Sequence, residues 1–174
     1  RMGIVNFVTV LTVYLGCICA SDAASFPAPV ARAAMGQLQC FGPNVSQKTC
    51  AALVAFKTEA GGAIHAGAVI AVSPSPLVVM TGDTIVIPKG GELCGTLSKR
   101  NFADASFSDG NTELEPMQAN LLRTFLTAAL QNYFGHEICG AYAANGASLL
   151  VKPKMDGAPI AVDPQRVIWV RPEE

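Results

Sequence analysis

The sequence predicts an α+β domain: a mostly antiparallel β-sheet packed on one long helix in the C-terminal half, with a short helix nearer the N-terminus and disulfides stapling the whole. Three observations carry this expectation. Apolar runs of four to eight residues recur between turn signals, which is the pattern of strands. From Pro116 onward, apolar residues fall at spacings of three and four, which is the pattern of a helix with one buried face. Four cysteines, Cys40, Cys50, Cys94 and Cys139, remain once an apolar N-terminal segment is set aside, an even number that suits a disulfide framework.

The N-terminal segment comes first. Ile4 to Ile18 is almost wholly apolar, about as long as the core of a secretory signal and short for a membrane span. Ser21-Asp22-Ala23 and Ala23-Ala24-Ser25 each satisfy the small-x-small cleavage rule. Tyr14-Leu15-Gly16-Cys17 resembles a lipobox, which would make Cys17 a lipidation site, and retention of the segment as an anchor is the third alternative. The expected organisation is a signal peptide or membrane anchor over 1–24, a linker rich in proline and alanine over 25–37, and one stapled domain over 38–174.

Within the domain, Ser46 is expected to cap a short helix through Lys57, with Cys50, Leu53, Val54 and Lys57 on one face and Ala60-Gly61-Gly62 ending it. Strands follow over 63–72, 77–81, 84–87 and 92–97, separated by Ser73-Pro74-Ser75-Pro76 and Pro88-Lys89-Gly90-Gly91. In the long helix, Leu122, Phe125, Leu126, Ala129, Leu130 and Tyr133 form the expected buried stripe, Asn120, Arg123, Thr124, Thr127 and Gln131 the polar face, and Gly135 the cap. A hairpin over 138–152 turns at Asn145-Gly146, Asp156-Gly157 makes a second turn, and 167–170 is the last strand. Trp169, Phe41, Tyr142 and Phe125 are expected in the core.

Four cysteines permit three pairings. The favoured one joins Cys40 to Cys50 around Gly42-Pro43-Asn44 and ties Cys94, at a strand end, to Cys139 in the later hairpin. In the chain-entropy account these bridges contribute about 3 and about 4 kcal/mol. Zinc is the poorer reading, because no Cys-x-x-Cys pair exists, so no metal and no cofactor is expected.

Other chemistry is sparse. Only two histidines occur, His65 and His136, and neither belongs to a metal-ligand motif. His136-Glu137 near Cys139 has the elements of a thiol nucleophile with its base, yet a bridged Cys139 has no thiolate to attack with. Asp104 to Gly110, with Glu115 beyond, carries oxygen ligands at several calcium-loop positions, but its glycine comes one residue late, and a polar loop leading into the helix is expected instead. Net charge is −1 and no basic cluster exceeds Lys99-Arg100, which excludes the electrostatic footprint of a nucleic-acid binder and of a protein held on anionic lipid. Hydrophobic residues make up 51%, which excludes disorder.

Gln39-Cys40 with Lys48-Thr49-Cys50, Cys94-Gly95, Cys139, Asp156-Gly157 and Val167-Ile168-Trp169-Val170 together resemble small exported proteins of unknown function from alphaproteobacteria of the sphingomonad type. The resemblance implies a periplasmic or cell-surface location and no activity. The expected function is accordingly a non-enzymatic binding or structural domain of the cell envelope with a protein partner, its only membrane contact through residues 1–20 if they are retained. The alternatives are a membrane-tethered accessory subunit of a larger complex and a small hydrolase using Asp104, Asp109 or Glu137.

Overall fold

The computed structural model describes residues 26–173. The signal or anchor segment, with Cys17, lies outside the described residues. Ten strands follow in order: β1 (Leu38–Phe41), β2 (Ala52–Thr58), β3 (Ile64–Pro74), β4 (Leu77–Lys89), β5 (Glu92–Thr96), β6 (Ser106–Ser108), β7 (Glu137–Asn145), β8 (Ser148–Met155), β9 (Ala158–Pro159) and β10 (Gln165–Val170). Helices α1 (Lys99–Ala103) and α2 (Pro116–Ala129) stand between β5 and β7, and 3-10 turns cover Ala28–Met35 and Gln131–Tyr133.

The expected α+β layering is corrected by the sheet. Strands β1, β2, β3, β4, β5, β7, β8 and β10 pair antiparallel in that order, and β10 pairs with both β8 and β1, closing an eight-stranded barrel. The fold is therefore mostly β, with small helices outside the ring. Short turns make the meander: Gly90-Gly91 joins β4 to β5 with φ of 55° and 86°, and Asp156-Gly157 joins β8 to β9 with φ of 50° and 82°, both matching type I′. The β7–β8 turn is displaced by one residue from expectation. Asn145 pairs with Ser148, so the loop is Gly146-Ala147, with glycine supplying the positive φ at its first position as type II′ requires. The separate strands expected at 77–81 and 84–87 are one strand, β4.

Strand alternation fills the barrel. Phe56, Ile64, Ala66 and Leu93 are buried inside, with Val54, Val86, Tyr142 and Trp169 against them. Gln39 and Val167 are fully buried. Residues 28–35, read from the sequence as linker, instead form the 3-10 turn that closes this core: Val30 is 0% exposed and belongs to the same cluster. Arg32 lies over the Trp169 ring at 5.8 Å, and Gln39 donates to the Pro29 carbonyl at 3.1 Å.

The helix expected over 46–57 does not form. Its C-terminal half is β2, in which Phe56 faces the core and Leu53 pairs with Cys40 of β1. Asn44 and Thr49 bridge, and the Asn44 carboxamide accepts from the Gln47 N–H at 3.2 Å and the Ser46 hydroxyl at 2.8 Å, so 44–49 is a tight turn. Four residues of helical spacing lose to the ladder hydrogen bonds offered on both edges of β2.

Long hairpin β3–β4 runs past the barrel, and a second core covers the extension. Phe107 of β6, Ala105 and Ala119 of α2 are buried there, with Val78, Met80, Leu114, Leu122 and Leu126 packed against them. The stripe expected on α2 is thus half right: Leu122 and Leu126 face this core, but Phe125 is 68% exposed. The helix meets a strip of hairpin rather than a broad sheet, so it buries a narrow arc. Gly135, with φ of 80°, follows the second 3-10 turn and donates its N–H to the Leu97 carbonyl at 2.9 Å.

Candidate functional site

Both disulfides, Cys40–Cys50 and Cys94–Cys139, sit on the outside of the barrel wall. Cys40 faces away from Gln39 and lies beneath the 42–50 turn. The second bridge is built from a repeated pattern, Glu92-Leu93-Cys94-Gly95 on β5 and Glu137-Ile138-Cys139-Gly140 on β7. Register sets Cys94 directly opposite Cys139, Thr96 opposite Glu137 and Glu92 opposite Ala141. Because Leu93 points into the core, both glutamates and both cysteines share the outer face. The glycines admit the close approach of the inner side: a Cβ at Gly140 would lie 3.0 Å from Val151 Cγ1, and one at Gly95 would lie 3.1 Å from the Ile85 carbonyl.

Two ion pairs cross this face. Lys89 of β4 reaches Glu137 of β7, and Lys154 of β8 reaches Glu92 of β5. Each spans the strand between its partners, and the bridge beneath is covered: Cys94 is 2% and Cys139 4% exposed although both face outward. Glu137 Oε1 lies 3.7 Å from Cys139 Sγ. One carboxylate oxygen of Glu92 and both sulfur atoms lie within 4.8 Å of one another. Sequence spacing hid this assembly of donors, because the two halves are joined only by strand register.

Beside it, Nδ1 of His136 meets Asp156 Oδ2 at 2.6 Å, and the Glu137 N–H donates to Asp156 Oδ1 at 3.0 Å. These two contacts, the histidine first, hold the Asp156 carboxyl below the usual carboxylate range. With Cys139 in a disulfide, His136 has no thiol to activate.

The three carboxylates named for hydrolysis are dispersed, each on its own partner. Asp104 caps α1 and takes Arg100 Nε at 3.1 Å. Asp109 accepts the backbone N–H groups of Thr112 at 2.7 Å and Asn111 at 2.9 Å, which lower its pKa. Glu137 holds Lys89. Between Asp104 and Asp109, Phe107 inserts into the second core, so the calcium-like spacing is spent on a strand. His65 lines an open polar cleft of about 620 Å³ with Asp83, Arg100, Asn101 and Asp104, its Nδ1 3.8 Å from Asp83 Oδ1.

The outstanding surface feature is α2. Met117, Leu121 and Phe125 are 74%, 67% and 68% exposed and recur every four residues, so they form one row. No charge accompanies them. Arg123, the one charged residue of the helix, turns inward to donate to the Ala105 carbonyl at 2.8 Å and lies 5.4 Å from the centre of the Phe107 ring. A helical pattern of apolar residues wide enough for two faces, 117-121-125 beside 119-122-126, was the signal available in the sequence.

Two disulfides fit an oxidising location outside the cytoplasm. Among the described residues no helix is long and apolar enough to cross a membrane. Compared with protein-family models, curated proteins and solved structures, the chain finds no match.

Proposed function

We propose that this chain is a non-enzymatic binding domain of the cell envelope, periplasmic or at the cell surface, and that α2 docks a protein partner. The observation that carries the reading is the uncharged row of Met117, Leu121 and Phe125. Large apolar side chains exposed at i, i+4 and i+8 are the anchors by which a helix enters a partner's groove. Soluble monomers seldom leave such a row uncovered. A row of three side chains is small against the roughly 800 Å² per partner of a stable interface, so a concave partner that wraps α2 suits it better than a second flat copy of itself. The two disulfides support the same compartment. Against a hydrolase stands the separate engagement of Asp104, Asp109 and Glu137.

A photo-crosslinking residue at Leu121, in protein exported by its own cells, tests the reading. A discrete adduct with another protein is expected, absent when the crosslinker is moved to Lys152 on the barrel wall and lost in Phe125→Ser. Adducts only with itself, or equal adducts at both positions, would overturn it.

A further inference from the structure

We propose that Glu92, Cys94, Glu137 and Cys139 form a zinc site that opens when the Cys94–Cys139 bridge is reduced. The repeated Glu-x-Cys pattern places a carboxylate two residues from each sulfur on the same face, and antiparallel register brings the halves together around the paired cysteines. Two thiolates and two carboxylates are a complete tetrahedral donor set for zinc. Zinc–sulfur bonds of about 2.3 Å and zinc–oxygen bonds of about 2.0–2.2 Å put neighbouring donors roughly 3.3–3.8 Å apart. Here Glu137 Oε1 already stands 3.7 Å from Cys139 Sγ, and Glu92 lies within 4.8 Å of both sulfur atoms. Glu92 and the two sulfur atoms already form a mutually close group, and Glu137 joins it by turning from its place beside Cys139 toward the other three.

Charge favours the exchange. In the oxidised protein, Lys89 and Lys154 neutralise the two glutamates. In the reduced, zinc-bound protein, two thiolates and two carboxylates carry four negative charges, met by the same two lysines and a divalent ion. Both states are neutral, and the lysines remain as the outer shell that orients the carboxylates. A thiol reductant, such as the paired cysteines of an oxidoreductase, supplies the two electrons and leaves as its own disulfide. The two cysteine thiols then yield two protons to solvent as zinc binds.

Zinc chloride titrated into the reduced and the oxidised protein, with heat measured in buffers of different ionisation enthalpy, tests this. One zinc per reduced chain with release of two protons is expected, and no saturable uptake by the oxidised protein. Glu92→Gln/Glu137→Gln, which keeps all four cysteines of the described residues, should weaken uptake by the reduced protein at least about tenfold. Cys94→Ser/Cys139→Ser should abolish it, which separates this site from the thiols of Cys40 and Cys50. Circular dichroism follows the fold throughout. If reduction unfolds the chain, zinc must restore the fold of the wild type and not of Cys94→Ser/Cys139→Ser. Absence of uptake by folded reduced protein, failure of zinc to refold an unfolded one, uptake that ignores the glutamate substitutions, or uptake that survives loss of Cys94 and Cys139 would each overturn the proposal.

Discussion

Tyr142 of β7 donates its hydroxyl to Gln39 Oε1 of β1 at 2.9 Å, and Gln39 passes the connection on to the Pro29 carbonyl. The pair fastens two strands and the N-terminal turn around a fully buried carboxamide. Tyr142→Phe keeps the ring and leaves Gln39 Oε1 buried without its donor. A loss of about 1–3 kcal/mol is expected in urea melts; a melt like wild type would show that water takes the donor's place.

Burial also pushes the Tyr142 hydroxyl up to about 12. The folded chain then holds this proton more tightly than the unfolded one, whose tyrosines titrate near about 10. Stability from this group is whole below about pH 10 and falls as pH rises toward 12, by about 2 kcal/mol. Phenolate absorbance and melts across that range check it, and Tyr142→Phe should lack this component of the decline.

Phe107 and Phe125 are expected to differ sharply. Phe107 is 1% exposed in the second core, so Phe107→Ala should cost about 3–5 kcal/mol. Phe125, being 68% exposed, should cost no more than about 0.5 kcal/mol when changed to alanine. Denaturant midpoints of the two variants decide; a large loss at Phe125 would mean that α2 is buried from the other side.

Val30 separates a plug from a linker. Removing two methyl groups at a site 0% exposed should cost about 2 kcal/mol, counting transfer and cavity together. If residues 28–35 contributed nothing to the core, Val30→Ala would melt with the wild type.

The two bridges should weigh differently. Cys94–Cys139 closes 45 residues and Cys40–Cys50 closes 10. Paired alanine substitutions are therefore expected to cost about 4 and about 3 kcal/mol respectively. Thermal melts giving the reverse order would mean that native-state contacts of the 42–50 turn outweigh chain entropy.

What the sequence determined by itself is local. Short apolar runs bounded by turn signals place most of β3, β5, β7, β8 and β10, because a strand needs only about four to eight such residues before the chain turns back. Gly90-Gly91 and Asp156-Gly157 mark turns because those backbones need positive φ. Apolar residues at spacings of three and four locate α2.

Tertiary structure decided what depends on partners distant in the chain. Closure of the barrel rests on Leu38 meeting Val170 and Val167 meeting Leu149, pairings that no local period encodes. The face of α2 that is buried depends on where the β3–β4 hairpin lies, which is why Phe125 was expected inside and stands outside. Residues 46–57 had a helical spacing too short to resist two neighbouring strands. Residues 28–35 had a linker's composition, and only a barrel mouth of the right size gives Val30 a place to be buried. The two Glu-x-Cys-Gly segments were both legible in the sequence, but they become one site only because antiparallel register sets Cys94 opposite Cys139.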